Sequence, residues 1–299
     1  MQQTNRCTCT FTFAIALISS LVSALTLTTA HAAPPMDEFE AQAQESWREA
    51  ISDTPIPDEE TCFHAVYPST QWQKVACTVA PNVPYIPRSA PGPGIVGNGV
   101  DYSIETTTLI THAIGSFPVV KGVTSETDGG PNIYSIQLNS NFMNTAACDG
   151  SSDPTGCLTW EQFVYSSSST SAFMQYWLIN YGVTCPDASW NSFQGSCYKN
   201  SAAVFVPQAY TTSGKDSVVD LATAWQGAEY NIVGDGGGSS ATFNAGSSIT
   251  VKLAVKDGSR STPACAANAG TTGETNNLNL KGCTATGGTT PNIRFVERK

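Results

Sequence analysis

The strongest constraint on this chain is the spacing of the eight cysteines that follow its N-terminal region. They fall into four couples that are close in sequence, with long gaps between the couples. The eight are Cys62, Cys77, Cys148, Cys157, Cys185, Cys197, Cys265 and Cys283. The close couples predict the local disulfides 62–77, 148–157, 185–197 and 265–283. Each disulfide closes a short loop and is expected to contribute about 2–4 kcal/mol, mainly by restricting the unfolded chain.

The N-terminus has the features of a secretory signal. Arg6 provides a positive charge, residues 11–27 are apolar and uncharged, and Ala30-His31-Ala32 is a small-x-small cleavage pattern. The alternative is a membrane helix, but the run is at the lower limit of length for spanning a bilayer. We therefore predict a signal peptide over 1–32 and a secreted protein, or a periplasmic one in a Gram-negative bacterium. Disulfides are typical of such oxidising compartments.

Metal and nucleic-acid partners are disfavoured by composition. No cysteine couple has the two-residue spacing of a zinc site, and histidine is nearly absent, so we expect neither a metal nor a cofactor. Residues 149–153 alternate oxygen-bearing side chains but lack the remaining acidic ligands of a calcium loop. Loss of Arg6 leaves 13 basic against 24 acidic residues, a net charge of −11. Such a surface repels nucleic acid and anionic membranes, and we expect a monomer that binds neither.

The mature chain divides into three parts by pattern. Residues 33–60 contain a helical apolar spacing that ends before Pro55 and Pro57, and they form a pro-segment or a packed helix. Residues 61–100 are rich in proline and glycine, which predicts extended coil with an edge strand. We expect the main domain to cover 101–299.

Short strand signals recur through that domain, separated by Gly, Ser, Asn or Asp. The predicted strands are 102–106, 117–121, 134–142, 159–166, 172–181, 202–208, 228–233, 241–244, 249–256 and 293–296. Residues 218–225 fit a short helix or a strand. Because no helices separate the strands, we predict an all-β fold, an antiparallel two-sheet sandwich of the concanavalin-like jelly-roll type with a short N-terminal helix.

Several catalytic chemistries are disfavoured by the motifs that the sequence contains. Beyond the predicted signal, only His64 and His112 could serve as a histidine base, and neither accompanies a nucleophile motif. The glycine-rich stretch 234–239 lacks the lysine of a phosphate-binding loop, so a turn between strands explains it better.

Three sets of stretches resemble secreted β-sandwich hydrolases of the glutamic peptidase type. They are YSIQL (134–138) with WEQFVY (160–165), FMQYW (173–177) with GSCYKN (195–200) and VFVPQ (204–208), and AEYNIV (228–233) with ATF (241–243). The first and third are similar to the strands that carry the catalytic Gln and Glu of eqolisins. The second is similar to a run in the plant neprosins. The resemblance covers about 134–255.

The resemblance implies an acid-active endopeptidase in which a glutamate activates water and a glutamine steadies the oxyanion. It places these roles on Glu229 and Gln162. Our candidate substrate-binding residues beside them are Trp160, Tyr165, Gln175 and Trp177. The family's glutamate ends its strand motif, where this chain has Val233. A second register brings Cys157 near the first catalytic position.

Structural roles are the alternatives for these two residues. Gln162 would then be a polar residue on a concave sheet face, and Glu229 a buried carboxylate bonded to neighbours. Two functions follow from the same face. One is a secreted peptidase that cuts extracellular protein. The other is a non-catalytic jelly roll that binds glycan or peptide on its concave face through Trp160, Tyr165, Tyr176 and Trp177.

Overall fold

The computed structural model describes residues 38–59, 61–88, 96, 100–182, 184–207, 217–219 and 225–299. All of these residues belong to one compact unit, 31–299. The predicted signal peptide 1–32, residues 220–224 of the undecided stretch and the end of the strand predicted to reach 208 lie outside the described residues.

Strands dominate the described part of the chain, with one α-helix. The α-helix is α1 (Glu38–Asp53), and a short 3-10 helix covers Ala146–Cys148. The strands are β1 (Cys62–His64), β2 (Gln73–Val75), β3 (Cys77–Val79), β4 (Tyr102–Glu105), β5 (His112–Lys121), β6 (Glu126–Thr127), β7 (Ser135–Ser140), β8 (Leu158–Ser166), β9 (Ser171–Ile179), β10 (Asn191–Phe193), β11 (Ser196–Asn200), β12 (Ala202–Phe205), β13 (Ser217–Val219), β14 (Gly227–Val233), β15 (Ser240–Phe243), β16 (Ser248–Lys256), β17 (Ala264–Ala267), β18 (Thr275–Asn276), β19 (Asn279–Thr286) and β20 (Asn292–Arg298).

The strands form one large sheet and one smaller sheet, with two minor sheets beside them. The large sheet has ten strands in the order β10-β11-β9-β8-β7-β14-β4-β17, and β12 pairs with both β9 and β3. The smaller sheet has the order β13-β5-β16-β20-β19. Both sheets are antiparallel throughout. The predicted all-β antiparallel sandwich is therefore confirmed, while its jelly-roll connectivity stays a prediction.

The main core lies between the two sheets. Alternate residues of the large sheet, such as Leu138 and Tyr230, face Val251, Leu253 and Phe295 of the smaller sheet, and all five are buried. Burying large apolar side chains between two sheets supplies most of the driving force for a sandwich. Only one face of the large sheet is used in this way, yet residues on the opposite face such as Gln162 and Gln175 are also buried, so other segments of the chain cover that face.

A close approach between the sheets explains one glycine. The ring of Tyr230 stacks on Phe117 with centroids 4.8 Å apart. It also lies over Gly115 of β5, where an added Cβ atom would overlap the ring atoms of Tyr230. Any larger residue at 115 would push the two sheets apart at the centre of the core.

Helix α1 packs against the smaller sheet through polar as well as apolar residues. Ile51, Gln44 and Arg48 are buried, whereas Phe39 is exposed. The Lys252 ammonium of β16 bonds to the Glu45 carboxylate, which also pairs with Arg48 at 2.7 Å. The helix was predicted, but its docked side differs from the predicted apolar stripe because ion pairs replace part of the apolar contact.

Residues 61–88 contain more strand than the proline content predicted. β1 pairs with β2, and β3 joins the large sheet through β12. Residues 81–88, which we name the strap, are extended and cross the face of the large sheet that is opposite the smaller sheet. The strap itself forms no strand of a sheet.

The structure contains the four predicted disulfides. They join Cys62 to Cys77, Cys148 to Cys157, Cys185 to Cys197, and Cys265 to Cys283. The last bond ties β17 at the edge of the large sheet to β19 at the edge of the smaller one. Four disulfides indicate an oxidising environment outside the cytoplasm.

In the described part of the chain no helix is long and apolar enough to cross a membrane.

Replacing Gly115 by alanine tests the packing between the sheets. We expect Gly115→Ala to lower the free energy of unfolding by about 1–3 kcal/mol, because overpacking displaces the Tyr230 ring. Chemical denaturation measures this change in the free energy of unfolding. Gly282→Ala is the matched control on β19, where an added Cβ meets nothing within 4 Å, and it should stay within about 0.5 kcal/mol of the native protein. Equal losses in both variants would contradict the close approach of the sheets at Gly115.

Candidate functional site

The face of the large sheet opposite the smaller sheet carries a row of polar side chains, which we name the polar row. Neighbouring strands bring its members directly opposite one another: Glu229 pairs with Asn139, Asn139 with Gln162, Gln162 with Gln175, and Gln175 with Asn200. Because side chains alternate between faces, residues paired in this way share a face. The polar row therefore crosses β14, β7, β8, β9 and β11.

Two segments cover this polar face. The strap lies over β8 and β9, and residues 268–274, which we name the covering loop, lie over β14. An antiparallel bridge between Pro87 and Thr272 joins the two segments, with Arg88 N–H donating to the Thr271 carbonyl at 2.8 Å. As a result Gln162, Gln175 and Asn139 are 0 % exposed and Glu229 is 1 % exposed.

Side-chain amides hold the main chain of the strap. Gln175 Oε1 accepts from Tyr85 N–H at 2.8 Å, and Gln175 Nε2 donates to the Val83 carbonyl at 3.0 Å. Gln162 Nε2 donates to the Tyr85 carbonyl at 2.7 Å. At the far end of the row, Asn200 Nδ2 donates to the Pro81 carbonyl at 2.9 Å. The polar row therefore binds an extended peptide segment through atoms that every peptide has.

A buried glutamate holds the next residue of the strap. Glu274 Oε1 accepts from Ile86 N–H and Gly238 N–H, each at 3.0 Å. Glu274 Oε2 accepts from Thr272 Oγ1 at 2.6 Å and from Gln137 Nε2 at 3.3 Å. Burial raises the pKa of Glu274 in spite of these bonds, which lower it.

Glu229 lies at the other end of the polar row, under the covering loop. Its Oε2 accepts from Thr271 N–H at 2.5 Å and from Thr271 Oγ1 at 3.0 Å. Its other oxygen, Oε1, lies near Asp101, and a Cβ added to Gly270 would be 2.9 Å from Asp101 Cβ and 3.0 Å from Glu229 Oε1. Gly270 therefore allows the covering loop to close over two carboxyl groups.

Asp101 and Glu229 form a carboxyl pair. Burial raises the pKa of Asp101 well above its usual range, and the Glu229 and Glu297 carboxylates raise it further. The closeness of the two carboxyl groups therefore favours the protonated form of Asp101.

Gln162 and Glu229 lie on the same face but do not form a pair. Asn139 stands between them, so their strands are two spacings, or ~9.5 Å, apart. Gln162 bonds to the strap and Glu229 to the covering loop. The residue at the family's glutamate position, Val233, is buried and apolar. The structure therefore places the two predicted catalytic residues in one row, each with a separate hydrogen-bond partner.

The predicted substrate-binding residues divide between two faces. Gln175 belongs to the polar row and contacts the strap. Tyr165 lies on the opposite face, buried in the core between the sheets with its ring centroid 6.3 Å from that of Tyr134. It is odd-numbered on β8 like Phe163, whereas the polar face takes the even-numbered residues. Tyr165 therefore cannot line the same groove as Gln162.

Trp160 and Trp177 are on the polar face but are sealed in an aromatic cluster. Trp177 stacks on Tyr198 with centroids 5.1 Å apart, and Trp160 packs 6.4 Å from Trp177. Their indole nitrogens donate internally, Trp160 to the Ser140 carbonyl and Trp177 to Gln175 Oε1. Their role in this structure is to pack the end of the face, and they present no open ring for a ligand.

Sequence reasoning missed Asp101, Asn139, Glu274 and the strap residue Tyr85. One signal could have revealed the polar row: β7 reads Ser-Ile-Gln-Leu-Asn-Ser, with polar residues at every second position and apolar residues between them. All six residues of β7 are buried, including the polar ones. A strand that is buried on both faces and polar on one indicates a specific hydrogen-bonding surface.

The raised carboxyl pKa values predict a protein that is more stable in acid than at neutral pH. Burial raises the pKa of Glu297 from 4.5 to about 8, and Asp101 and Glu274 shift in the same direction. A group whose pKa is higher in the folded state stabilises that state below its unfolded pKa, and this contribution is lost as the pH rises through its folded pKa.

We therefore expect the thermal unfolding temperature to decrease as the pH rises from about 4.5 to about 8. Each such group lowers the free energy of unfolding by up to about 1.4 kcal/mol per pH unit in this range. Differential scanning calorimetry across this range measures it. Glu297→Gln, which cannot ionise, should flatten the upper part of the profile. A midpoint that rises steadily from pH 4.5 to pH 8 would exclude raised pKa values for these three carboxyl groups.

Comparison with known proteins identifies no relative. No family model matches the chain, no curated protein matches it, and no solved structure matches it. The resemblance to glutamic peptidases therefore rests on short strand motifs, together with an all-β fold that many unrelated functions share.

Proposed function

We propose that this protein acts outside the cytoplasm by binding extended peptides across the polar face of its large sheet. The observation that carries the proposal is the set of hydrogen bonds from Gln162, Gln175 and Asn200 to the main chain of the strap. These bonds contact no side chain of the strap. A peptide from another protein offers the same N–H and C=O groups in the same extended conformation.

The chemistry of the polar row suits a neutral peptide main chain. Each glutamine or asparagine carries a donor and an acceptor on one planar group, as a peptide unit does. Gln175 uses both, accepting from one strap residue and donating to another. If the strap served only to close the core, an apolar sheet face could hold it without burying polar side chains. The buried amides therefore favour a face that recognises a peptide main chain.

The aromatic residues favour peptide over glycan as the ligand. Sugar-binding platforms expose the flat face of an aromatic ring. Here Trp160 and Trp177 are buried against each other and against Tyr198. The polar face therefore offers hydrogen-bonding amides at its centre and closed aromatic packing at its end.

Photo-crosslinking distinguishes the two ligand classes. The probes are eight-residue peptides with a photoreactive phenylalanine analogue, and an oligosaccharide with an equivalent photoreactive group. We expect the peptides to label residues on β8, β9, the strap and 234–238, with competition by unlabelled peptide. The oligosaccharide should not label this face. Peptide labelling scattered over the surface, or selective labelling by the oligosaccharide alone, would rule out the proposal.

A second candidate function is acid-active peptide hydrolysis, and the carboxyl pair favours it. Glu229 as a carboxylate could activate water, while protonated Asp101 supplies a proton. Both carboxyl groups lie on the same face that would hold the peptide. In the structure the covering loop bonds to Glu229 and the pair is buried, so hydrolysis would require the loop to move.

Digestion of an unfolded protein between pH 3 and pH 7 tests this second function. We expect the pure mature chain to cut most strongly at the acid end and Glu229→Gln to lose at least about 100-fold in rate, as is usual for a general base. Glu126→Gln is the matched control, because Glu126 is a buried carboxyl on β6, away from the polar row. Equal cutting by all three proteins, or none by any, would reject hydrolysis at Glu229.

A further inference from the structure

The strap meets the sheet in the manner of a bound ligand rather than as a strand. A strand exchanges main-chain bonds with neighbouring strands in a regular ladder. The strap crosses over the sheet and bonds to side chains of the polar row, to Glu274, and to separate loop amides such as Gly237 N–H, which donates to the Pro84 carbonyl at 2.7 Å. The strap is therefore held through its extended conformation and through hydrogen bonds at a few of its main-chain N–H and C=O groups.

The pattern of N–H donors in the strap defines what a peptide in this groove must supply. Tyr85, Ile86 and Arg88 each donate an N–H to the protein. Pro84 and Pro87 have no N–H, so the strap makes no N–H hydrogen bond to the groove at those two positions. A ligand therefore needs N–H donors at the positions of Tyr85, Ile86 and Arg88, and it tolerates proline at the positions of Pro84 and Pro87.

Tyr85 is the strap residue whose side chain is fully buried. It both packs against an aromatic ring and makes a specific hydrogen bond. Its ring lies 6.0 Å from that of Phe173, between centroids, and its hydroxyl donates to Asp235 Oδ1 at 2.7 Å. The other oxygen of Asp235 accepts from Ser166 Oγ at 3.1 Å, which fixes the carboxylate. The pocket thus matches an aromatic ring that carries a hydroxyl group.

Glycines shape the groove around the neighbours of Tyr85. A Cβ at Gly236 would lie 2.5 Å from Val83 Cγ1, one at Gly238 would lie 2.8 Å from Ile86 Cδ1, and one at Gly273 would lie 2.7 Å from Ile86 Cγ1. The glycine-rich stretch that the sequence analysis assigned to a turn is therefore also a wall of the groove. Its lack of side chains makes room for the residues on both sides of the aromatic anchor.

The strap leaves other polar atoms of the face without a partner. Within the described residues, Gln162 Oε1, Asn139 Oδ1 and both side-chain polar atoms of Asn231 are buried and make no hydrogen bond. Leaving buried polar atoms unpaired is costly. The strap thus satisfies part of the face, and a ligand that reaches further along it would make bonds that the strap does not.

We infer that the strap is the chain's own copy of its ligand, and that the site takes an extended peptide with a tyrosine in the Tyr85 pocket, in competition with the strap. This inference rests on the proposed peptide-binding function and deepens it by naming the anchor residue and the intramolecular competitor. The apparent affinity for an added peptide is then reduced by the fraction of molecules in which the strap is bound.

The experiment uses the mature chain and a synthetic peptide with the sequence of residues 81–88, blocked at both ends. Tyr85→Ala empties the pocket, so this variant should bind the peptide at least about tenfold more tightly than the native chain in fluorescence anisotropy. Tyr85→Phe keeps the ring and loses the bond to Asp235, and it should fall between the two. The same peptide with alanine in place of its tyrosine should lose most of its affinity.

Hydrogen exchange on the native chain gives an answer even where Tyr85→Ala fails to fold. Excess tyrosine peptide should speed exchange of the amides of the strap, and the alanine peptide should not. Equal affinities of the native chain and Tyr85→Ala, or unchanged exchange in the strap, would overturn the competition. Equal binding of the two peptides would overturn the tyrosine anchor. Either result is distinct from failure of the proposed function, in which no peptide labels the polar face at all.

Discussion

The hydrogen-bonding demand of one buried polar sheet face determines how the rest of this structure is arranged. The large sheet has two faces, and only one of them packs against the smaller sheet. The other carries glutamine, asparagine and glutamate where apolar residues would have been simpler to bury. Buried polar groups need partners, so the chain must bring two irregular segments, the strap and the covering loop, across this face. The exposed loops of a sandwich usually have no such task.

Two disulfides attach the chain next to those irregular segments. Cys62–Cys77 closes the region that precedes the strap, and β3 then anchors it to β12 of the large sheet. Cys265–Cys283 ties the strand before the covering loop to the smaller sheet. An irregular segment has little local stability of its own, and these attachments limit the entropy that it loses when it settles on the polar face.

Much of the fold could be predicted from the sequence because its signals are local, whereas the site depends on contacts between distant parts of the chain. Alternation over 249–256 predicted β16, and close cysteine couples predicted the disulfides. β17 and β19 were missed, because their strand conformation comes from pairing with β4 and β20, which no single window contains. Gln162 and Gln175 were identified as candidates and do lie in one row. Their principal partner is Tyr85, 90 residues before Gln175, in a proline-rich stretch with no periodicity to reveal its path.

The long sequence separation between the polar row and the segments that cover it explains why a resemblance in short motifs could place Gln162 and Glu229 on one face without establishing their chemistry. Motifs specify a strand and the side of it that a residue occupies. They do not specify what crosses that side. In this protein the crossing segments decide whether Glu229 meets water, a peptide or Thr271, and hence whether the polar face binds, cleaves or is simply closed. Both proposed functions therefore depend on how readily the strap and the covering loop leave the face, more than on the identity of the residues beneath them.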